Sequence, residues 1–268
     1  MKRSEQGFSL VELMIVLVIL TIVMGVIFQQ IVNLQQRYKT EEIKADIFSE
    51  AREFTDQFVR DIHQTGYPGK TVYTGGALGA PPENDNRLAV GIVSATPTDL
   101  QIEADVDGDG LVDSVRYTLI AGPGNTCPCT LQRSQVIKLN GTAPWNQPTT
   151  FNTEVQGIVN SVGLGAGGAA LPINGTSLIG NVTSNDDVLF APLKTQAVFG
   201  YYDATGTLVN VNTNVSTGAG QTAIAAIKSV RIVINIVANT HDPRTGWKPH
   251  VTLSGTARVT NCSFYATC

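Results

Sequence analysis

The chain has 268 residues, enough for one membrane-spanning helix and one sizeable folded domain. Its formal net charge is −4, which disfavours a protein whose main partner is the phosphate backbone of a nucleic acid. Charged residues make up only 15% of the chain and glycine occurs 26 times, a composition typical of many short strands joined by turns.

A short basic leader precedes a long apolar segment at the N-terminus. After Glu12 no charged residue occurs until Arg37. As an α-helix, residues 13–36 would span roughly 36 Å, enough to cross a hydrocarbon core of about 30 Å. A secretory signal peptide has a shorter apolar region followed by a small-residue cleavage site. Residues 26–40 contain no such site, which disfavours a signal peptide. The basic leader favours a cytoplasmic N-terminus, so the rest of the chain is expected on the far side of the membrane.

Glu12 is unusual because an ionisable side chain inside an apolar helix costs on the order of 3 kcal/mol on insertion. One interpretation is that the side chain only extends to the lipid headgroups. The other comes from its neighbours, since residues 7–12 read Gly-Phe-Ser-Leu-Val-Glu. This segment closely resembles the prepilin cleavage motif of type IV pilins and type II secretion pseudopilins.

The resemblance implies a processing reaction and a set of partners. Prepilin peptidase would cut between Gly7 and Phe8 and methylate the new amine of Phe8. The carboxylate of Glu12 would then pair with the N-terminal amine of a neighbouring pilin or pseudopilin and set the register of the subunit. Before assembly the protein would be a single-pass protein of the inner membrane, and the pilus assembly platform would transfer it to a fibre at the cell surface.

A second helical pattern follows the apolar segment. Six apolar residues recur at spacings of three or four and predict one buried face. These residues are Ile43, Ile47, Ala51, Phe54, Phe58 and Ile62. Neither Gly nor Pro occurs from residue 29 to residue 65, whereas Gly66 and Pro68 end the pattern. We therefore predict one helix from about residue 8 to residue 64.

Beyond this helix the sequence predicts strands and turns. The predicted strands are 88–93, 100–104, 114–120, 136–139, 188–191, 197–202, 230–237 and 251–259. Residues 230–237 place four β-branched residues on one face, and we expect that face to pack on the helix. Residues 157–185 are rich in small residues and predict a long surface loop.

The expected fold is α+β, with a long N-terminal helix packed on an antiparallel, β-rich, pilin-like head. Its predicted segments are a leader at 1–7, a membrane or fibre-core helix at 8–36, an amphipathic half at 37–65 and a head at 66–268. Segment 60–67, a central acidic turn and the late apolar strand together resemble minor pilins of the PilW type.

An acidic turn is the candidate metal site of the head. Asp105, Asp107, Asp109 and Asp113 have the acidic spacing of a calcium loop, and Gly110 permits its sharp bend. Position twelve of that loop is Arg116, where an EF-hand requires a bidentate Glu. The alternative is a hairpin turn held by hydrogen bonds from backbone amides to the carboxylates.

The four cysteines favour disulfides over a zinc site, because their spacing does not match the usual ligand pairs. Cys262 and Cys268 can close a short loop, whereas Cys127 and Cys129 are expected to be too near one another to bridge without strain. Pairing across the two groups is equally consistent with the sequence.

The predicted function is that of a minor pilin that primes a type IV pilus or presents its head for adhesion or uptake. A type II secretion pseudopilin is the first alternative, and a membrane-anchored periplasmic binding module that never polymerises is the second. No catalytic motif occurs, and the three histidines are scattered along the chain, so an enzyme is not expected. Two departures from the family pattern are Ser9 in place of Thr and Gln29 in place of a helix-kinking Pro, and the second favours a minor pilin or pseudopilin over a major pilin.

Overall fold

The computed structural model describes residues 9–70, 72–173, 190–242, 248–261 and 264–265. Its dominant element is one helix, α1, that runs without interruption from Leu10 to Gln64. The predicted helix is therefore confirmed. It ends at Thr65 and Gly66, where Gly66 has a φ of 82° that favours a residue without a side chain.

The head is built on an antiparallel sheet that curls around the second half of α1. Among the described residues its strands are β1 Ile92–Ala95, β2 Asp99–Ala104, β3 Asp113–Gly122, β4 Thr126–Ile137, β5 Phe151–Ile158, β6 Phe199–Tyr202, β7 Thr213–Asn214, β8 Ser229–Val237 and β9 His250–Arg258. The order of strands is β6-β8-β5-β4-β3-β2-β1-β7, and β9 pairs with β8 along its whole length. Two short α-helices, α2 Ala191–Lys194 and α3 Gly218–Ala225, and three 3₁₀ turns complete the described elements.

The core lies between α1 and the inner face of the sheet. Ala51, Phe54, Phe58 and Ile62 are buried there, as the predicted stripe requires. The Phe58 ring makes an edge contact with Tyr117 on β3 and stacks on Phe199 on β6. Aromatic rings in such arrangements add specific attraction to the burial of apolar area.

Strand β8 contributes the other main surface of this core. Its residues Val230, Ile232, Ile234 and Ile236 are buried in the same apolar cluster as Phe58 of α1. The expectation that this strand packs on the helix is confirmed.

Several sequence predictions of strands need correction. Strand β1 begins at Ile92 instead of 88, and β4 begins ten residues before the predicted strand 136–139. Strand β5 falls outside every predicted strand and includes the start of the predicted loop 157–185. Residues 159–173 are irregular with one 3₁₀ turn, and the rest of that predicted loop lies outside the described residues. The predicted strand 188–191 is wrong where it is described, because Ala191 begins α2.

Candidate functional site

The first site is the N-terminal end of α1, where Ser9 and Glu12 cap each other. Ser9 is the N-cap, and its Oγ accepts a hydrogen bond from the backbone N–H of Val11 at 3.3 Å. The backbone N–H of Ser9 donates to Oε2 of Glu12 at 3.0 Å. This reciprocal arrangement is a capping box, which satisfies backbone amides that the first helical turn leaves without partners. Gly7 and Phe8 lie outside the described residues.

The capping box gives Glu12 a local role that the sequence reasoning missed. The signal was present as Ser-x-x-Glu directly before an apolar run. The box uses one carboxylate oxygen of Glu12, while the side chain stays exposed at the helix N-terminus. A carboxylate there is stabilised by the helix dipole. Glu12 is thus held in a defined orientation and still presents negative charge for a cation.

The second feature is the uncovered surface of the first half of α1. Its large apolar side chains are exposed on every side, from 43% at Ile31 to 75% at Leu10. By length and composition this helix can cross a membrane, and none of its most apolar stretch is buried against the head. An uncovered apolar surface of this size requires lipid or other helices around it.

Contacts near the middle of α1 mark where the helix meets the head. The hydroxyl of Thr40 donates a hydrogen bond to Oδ1 of Asp242, in the segment after β8, at 2.6 Å. Beyond this point the helix lies against the sheet, and its first buried residue is Ala51. The structure therefore divides α1 into an uncovered half and a docked half.

A buried polar cluster fixes the docked half to the sheet. Asp61 on α1 accepts hydrogen bonds from Nη2 and Nε of Arg133 on β4, at 2.7 and 3.0 Å. The hydroxyl of Tyr117 on β3 donates to the same carboxylate. Burial raises the pKa of Tyr117 well above its usual range, and the charge of Asp61 raises it further, so the phenol remains a donor. The three side chains tie one helix to two strands.

A second buried ion pair lies at the base of the same sheet. Nζ of Lys138 donates to Oε2 of Glu103 at 2.7 Å and to the carbonyls of Glu83 and Leu88. Both charged side chains are fully buried. Burial raises the pKa of Glu103, and the charge of Lys138 opposes that rise. Through the carbonyls of Glu83 and Leu88, the pair secures the segment before β1.

The structure brings together three of the four predicted calcium ligands. One carboxylate oxygen from each of Asp105, Asp107 and Asp109 lies within 4.8 Å of the others, in the turn that joins β2 to β3. Asp113, in contrast, begins β3 and is buried, where it accepts a hydrogen bond from Nε2 of Gln135 at 3.1 Å. The expected hairpin is confirmed by the pairing of Ala104 with Asp113.

The same three carboxylates also hold the turn together. Asp105 accepts hydrogen bonds from the backbone N–H groups of Gly108 and Gly110, and Asp109 accepts one from Leu111. These bonds are those of the hairpin-turn alternative. Calcium binding by this loop stays a prediction.

The cysteine prediction needs one correction. Cys127 and Cys129 form a disulfide with each other, whereas the sequence predicts that they are too near one another to bridge without strain. They occupy alternate positions of β4, so their side chains project from the same face of the strand. Their Cα atoms are 4.5 Å apart, within the range that disulfides accept. Cys262 and Cys268 lie outside the described residues.

Comparison with known proteins identifies the N-terminal segment. The prokaryotic N-terminal methylation motif matches residues 2–28, which include Gly7, Phe8 and Glu12. No curated protein and no solved structure matches the chain at a significant level. The motif implies processing by prepilin peptidase, and together with the apolar helix it implies anchoring in the inner membrane before transfer to the surface. With this motif, a single long helix and an antiparallel head, the chain is a type IV pilin-like or pseudopilin-like protein.

Proposed function

We propose that the protein is a minor pilin of a type IV pilus, of the PilW type. It is cleaved between Gly7 and Phe8, methylated at Phe8 and incorporated into the fibre through α1. In this role it primes assembly or presents its head for adhesion or uptake. The proposed role is structural and requires no catalysis.

The observation that carries the proposal is the division of one continuous helix into two environments. The half before Thr40 exposes apolar side chains on every side, while the half after it is docked on a folded head. An anchor alone needs only a helix long enough to cross the bilayer. The capping box at Glu12 adds an oriented carboxylate at the end of the apolar helix, where it is costly unless a cation approaches.

The unbroken course of α1 supports a minor pilin over a major one. Major pilins often carry a helix-kinking Pro where this chain has Gln29, and α1 passes through Gln29 as regular helix. Helix kinks arise mainly at proline or at comparable interruptions of the backbone ladder. An uninterrupted helix in the fibre core is compatible with a subunit present in few copies.

The first test is the N-terminus of the native protein. We expect the chain isolated from membranes and from sheared surface fibres to begin at methylated Phe8, as measured by mass spectrometry of the N-terminal peptide. A chain that retains the intact leader and stays in the membrane fraction would support the binding module that never polymerises.

A second experiment separates the pilus from the type II secretion alternative. In a strain lacking this gene, we expect surface fibres to fall sharply while export of folded periplasmic enzymes continues. The reverse result, with fibres kept and export lost, would assign the protein to a secretion pseudopilus. Complementation by the intact gene controls for effects on neighbouring genes.

A further inference from the structure

The last described strand of the head, β9, has one edge that pairs with no other described strand. Strand β9 pairs with β8 in nine consecutive positions, without a bulge. The backbone N–H of Ala238 bonds to the carbonyl of Pro249, and that of Val259 bonds to the carbonyl of Lys228, which extends this register at both ends. In an antiparallel ladder, hydrogen-bonded residue pairs alternate with pairs whose backbone N–H and C=O groups point away from the partner strand. The N–H and C=O groups at positions 250, 252, 254, 256 and 258 therefore point away from β8.

No described residue pairs with this outer edge. Within the described part of the chain, every backbone bond of β9 belongs to its pairing with β8. The five side chains at the outward positions are all exposed. Proteins normally protect long edges with a charge at mid-strand, a proline or a bulge. The middle of β9 has Thr252, Ser254 and Thr256, so none of these protections is present.

The edge lies beside the helix that enters the fibre. Gly255 of β9 packs directly against Thr55 and Val59 of α1. The segment before β9 meets the helix at Thr40, and Asn261 after β9 bonds to the carbonyls of Gln64 and Thr65 at the helix end. Strand β9 thus runs in the same direction as α1. Its outer edge therefore lies alongside the docked half of α1.

We propose that this edge receives a strand from the head of a different pilin-like subunit in the same fibre. Addition of a strand to a sheet edge is a general mode of recognition, because backbone hydrogen bonds supply affinity and side chains supply selection. This inference rests on the proposed function, and it names the surface by which the head selects its neighbour.

A second copy of the chain fits this edge poorly. Two β9 edges paired antiparallel would point the two N-terminal helices in opposite directions. Both helices must enter the same membrane from the same side, so this pairing does not fit. Paired in parallel, the two edges would be related by a two-fold axis along the strand. The two helices would then lie on opposite faces of the joined sheet. The opposite edge of the sheet in a second copy is also a poor partner. Its strands β1 and β7 have four and two residues, too few to pair with the nine residues of β9.

Charge indicates the chemistry of the incoming strand. The outward side chains of β9 include Arg258 and no carboxylate, and Arg231 is exposed on the same face of β8. Neither arginine makes an ion pair with any described residue. Beside them, Tyr202, Thr252 and Ser254 line an open cavity of about 470 Å³. An incoming strand with an acidic side chain on this face would neutralise the arginines.

The test uses a backbone substitution with a matched side-chain control. Ser254→Pro removes one outward N–H without removing a bond to β8, because proline is tolerated where the N–H of an edge strand faces away from its partner. Ser254→Ala removes the hydroxyl and keeps the N–H. In the full-length protein expressed in cells that make fibres, we expect Ser254→Pro to lower the incorporated fraction about tenfold and Ser254→Ala to leave it unchanged.

Arg258→Glu provides an independent variant at an exposed side chain of β9. We expect it to lower incorporation as well, because it would repel an acidic partner strand. A photoreactive amino acid at Thr256 identifies the occupant in the same cells. The expected cross-link maps to a strand in the head of another subunit that carries the methylation motif.

Three results would overturn the inference. They are a cross-link to a second copy of this chain, a cross-link to a protein without the motif, and normal incorporation of both Ser254→Pro and Arg258→Glu. If the processed chain never enters fibres even with its native sequence, the proposed function has failed instead. Processing at Phe8 and the amount of protein in the membrane, measured for every variant, separate these two kinds of failure.

Discussion

Asp61 on α1 and Arg133 on β4 form a buried ion pair through two hydrogen bonds, at 2.7 and 3.0 Å. The two residues are far apart in sequence, and their pairing joins the helix that carries the processing motif to the middle of the sheet. Removal of one member leaves a buried charge without compensation, which typically costs about 3–5 kcal/mol.

Asp61→Asn should therefore lower the free energy of unfolding of the head by about 3 kcal/mol. Urea unfolding of the full-length protein in detergent micelles, followed by tryptophan fluorescence, measures the change. Arg133→Met is the partner variant, and the double variant should cost less than the sum of the two single changes. If the double variant costs as much as the two single variants together, Asp61 and Arg133 have no coupling energy.

Gly255 permits the close approach of β9 to α1. A Cβ atom at this position would lie 2.5 Å from Cγ2 of Thr55. Gly255→Ala should therefore destabilise the protein by about 1–3 kcal/mol, as measured by the same unfolding experiment.

Thr55→Ser supplies the control for this overlap because it removes only Cγ2. Its hydroxyl can keep the hydrogen bond to the carbonyl of Ala51. In the Thr55→Ser background, Gly255→Ala should cost distinctly less. If Gly255→Ala lowers the free energy of unfolding equally in both backgrounds, its effect does not come from the contact with Thr55.

The carboxyl of Asp113 makes stability depend on pH. Burial, with the charge of Asp107 next, raises its pKa to about 6. Between about pH 4 and pH 6 the folded protein therefore holds a proton that the unfolded chain has released, so stability falls as pH rises through this window. Asp113→Asn should raise the melting temperature at pH 7.5 in the presence of a chelator and change it little at pH 4. A lower melting temperature at both values would show that the hydrogen bond from Gln135 outweighs the charge.

Calcium addition checks the predicted cation site in the turn between β2 and β3. A cation that binds only the folded state raises the melting temperature by mass action. The expected result is a rise at millimolar calcium that is absent in Asp107→Asn. If the native protein shows no shift, the three carboxylates serve only the hydrogen-bonded turn.

Glu12→Ala should leave membrane insertion intact or improved while it impairs incorporation into fibres. The substitution removes both the charge and the capping bond to Ser9. Glu12→Gln can keep a capping oxygen without the charge, so it isolates the electrostatic contribution. We expect both variants to be processed and retained in the membrane fraction, as measured by immunoblotting. If Glu12→Gln enters fibres normally, Glu12 acts only as a helix cap.

The long helix was predictable from sequence because its signals are local. Residue spacing, the absence of Gly and Pro after residue 29 and the stop at Gly66 all describe one stretch of chain. Strand β8 was equally clear, since its inner positions are all Val or Ile. The motif at residues 7–12 is local in the same sense.

Strand β4 was largely missed because its inner face is not uniformly apolar. Arg133 occupies an inward position, and its burial makes sense only once Asp61 approaches from α1. The Cys-Pro-Cys segment at the start of the strand also favours an interruption over a paired strand, because proline cannot donate a hydrogen bond to a neighbouring strand. The pairing of Lys138 with Glu103 is hidden for the same reason, because nothing near either residue indicates a buried partner.

The unbroken course of α1 connects events in the membrane with the outward face of the protein. Between Glu12 and Asp61 the helix rises roughly 74 Å without an interruption that could absorb rotation. A slip of one residue at the bottom would shift the top by about 1.5 Å and turn it by about 100°. Under the proposed pairing of Glu12 with a neighbouring subunit, the contact that Glu12 makes therefore also decides which side of the fibre the head faces.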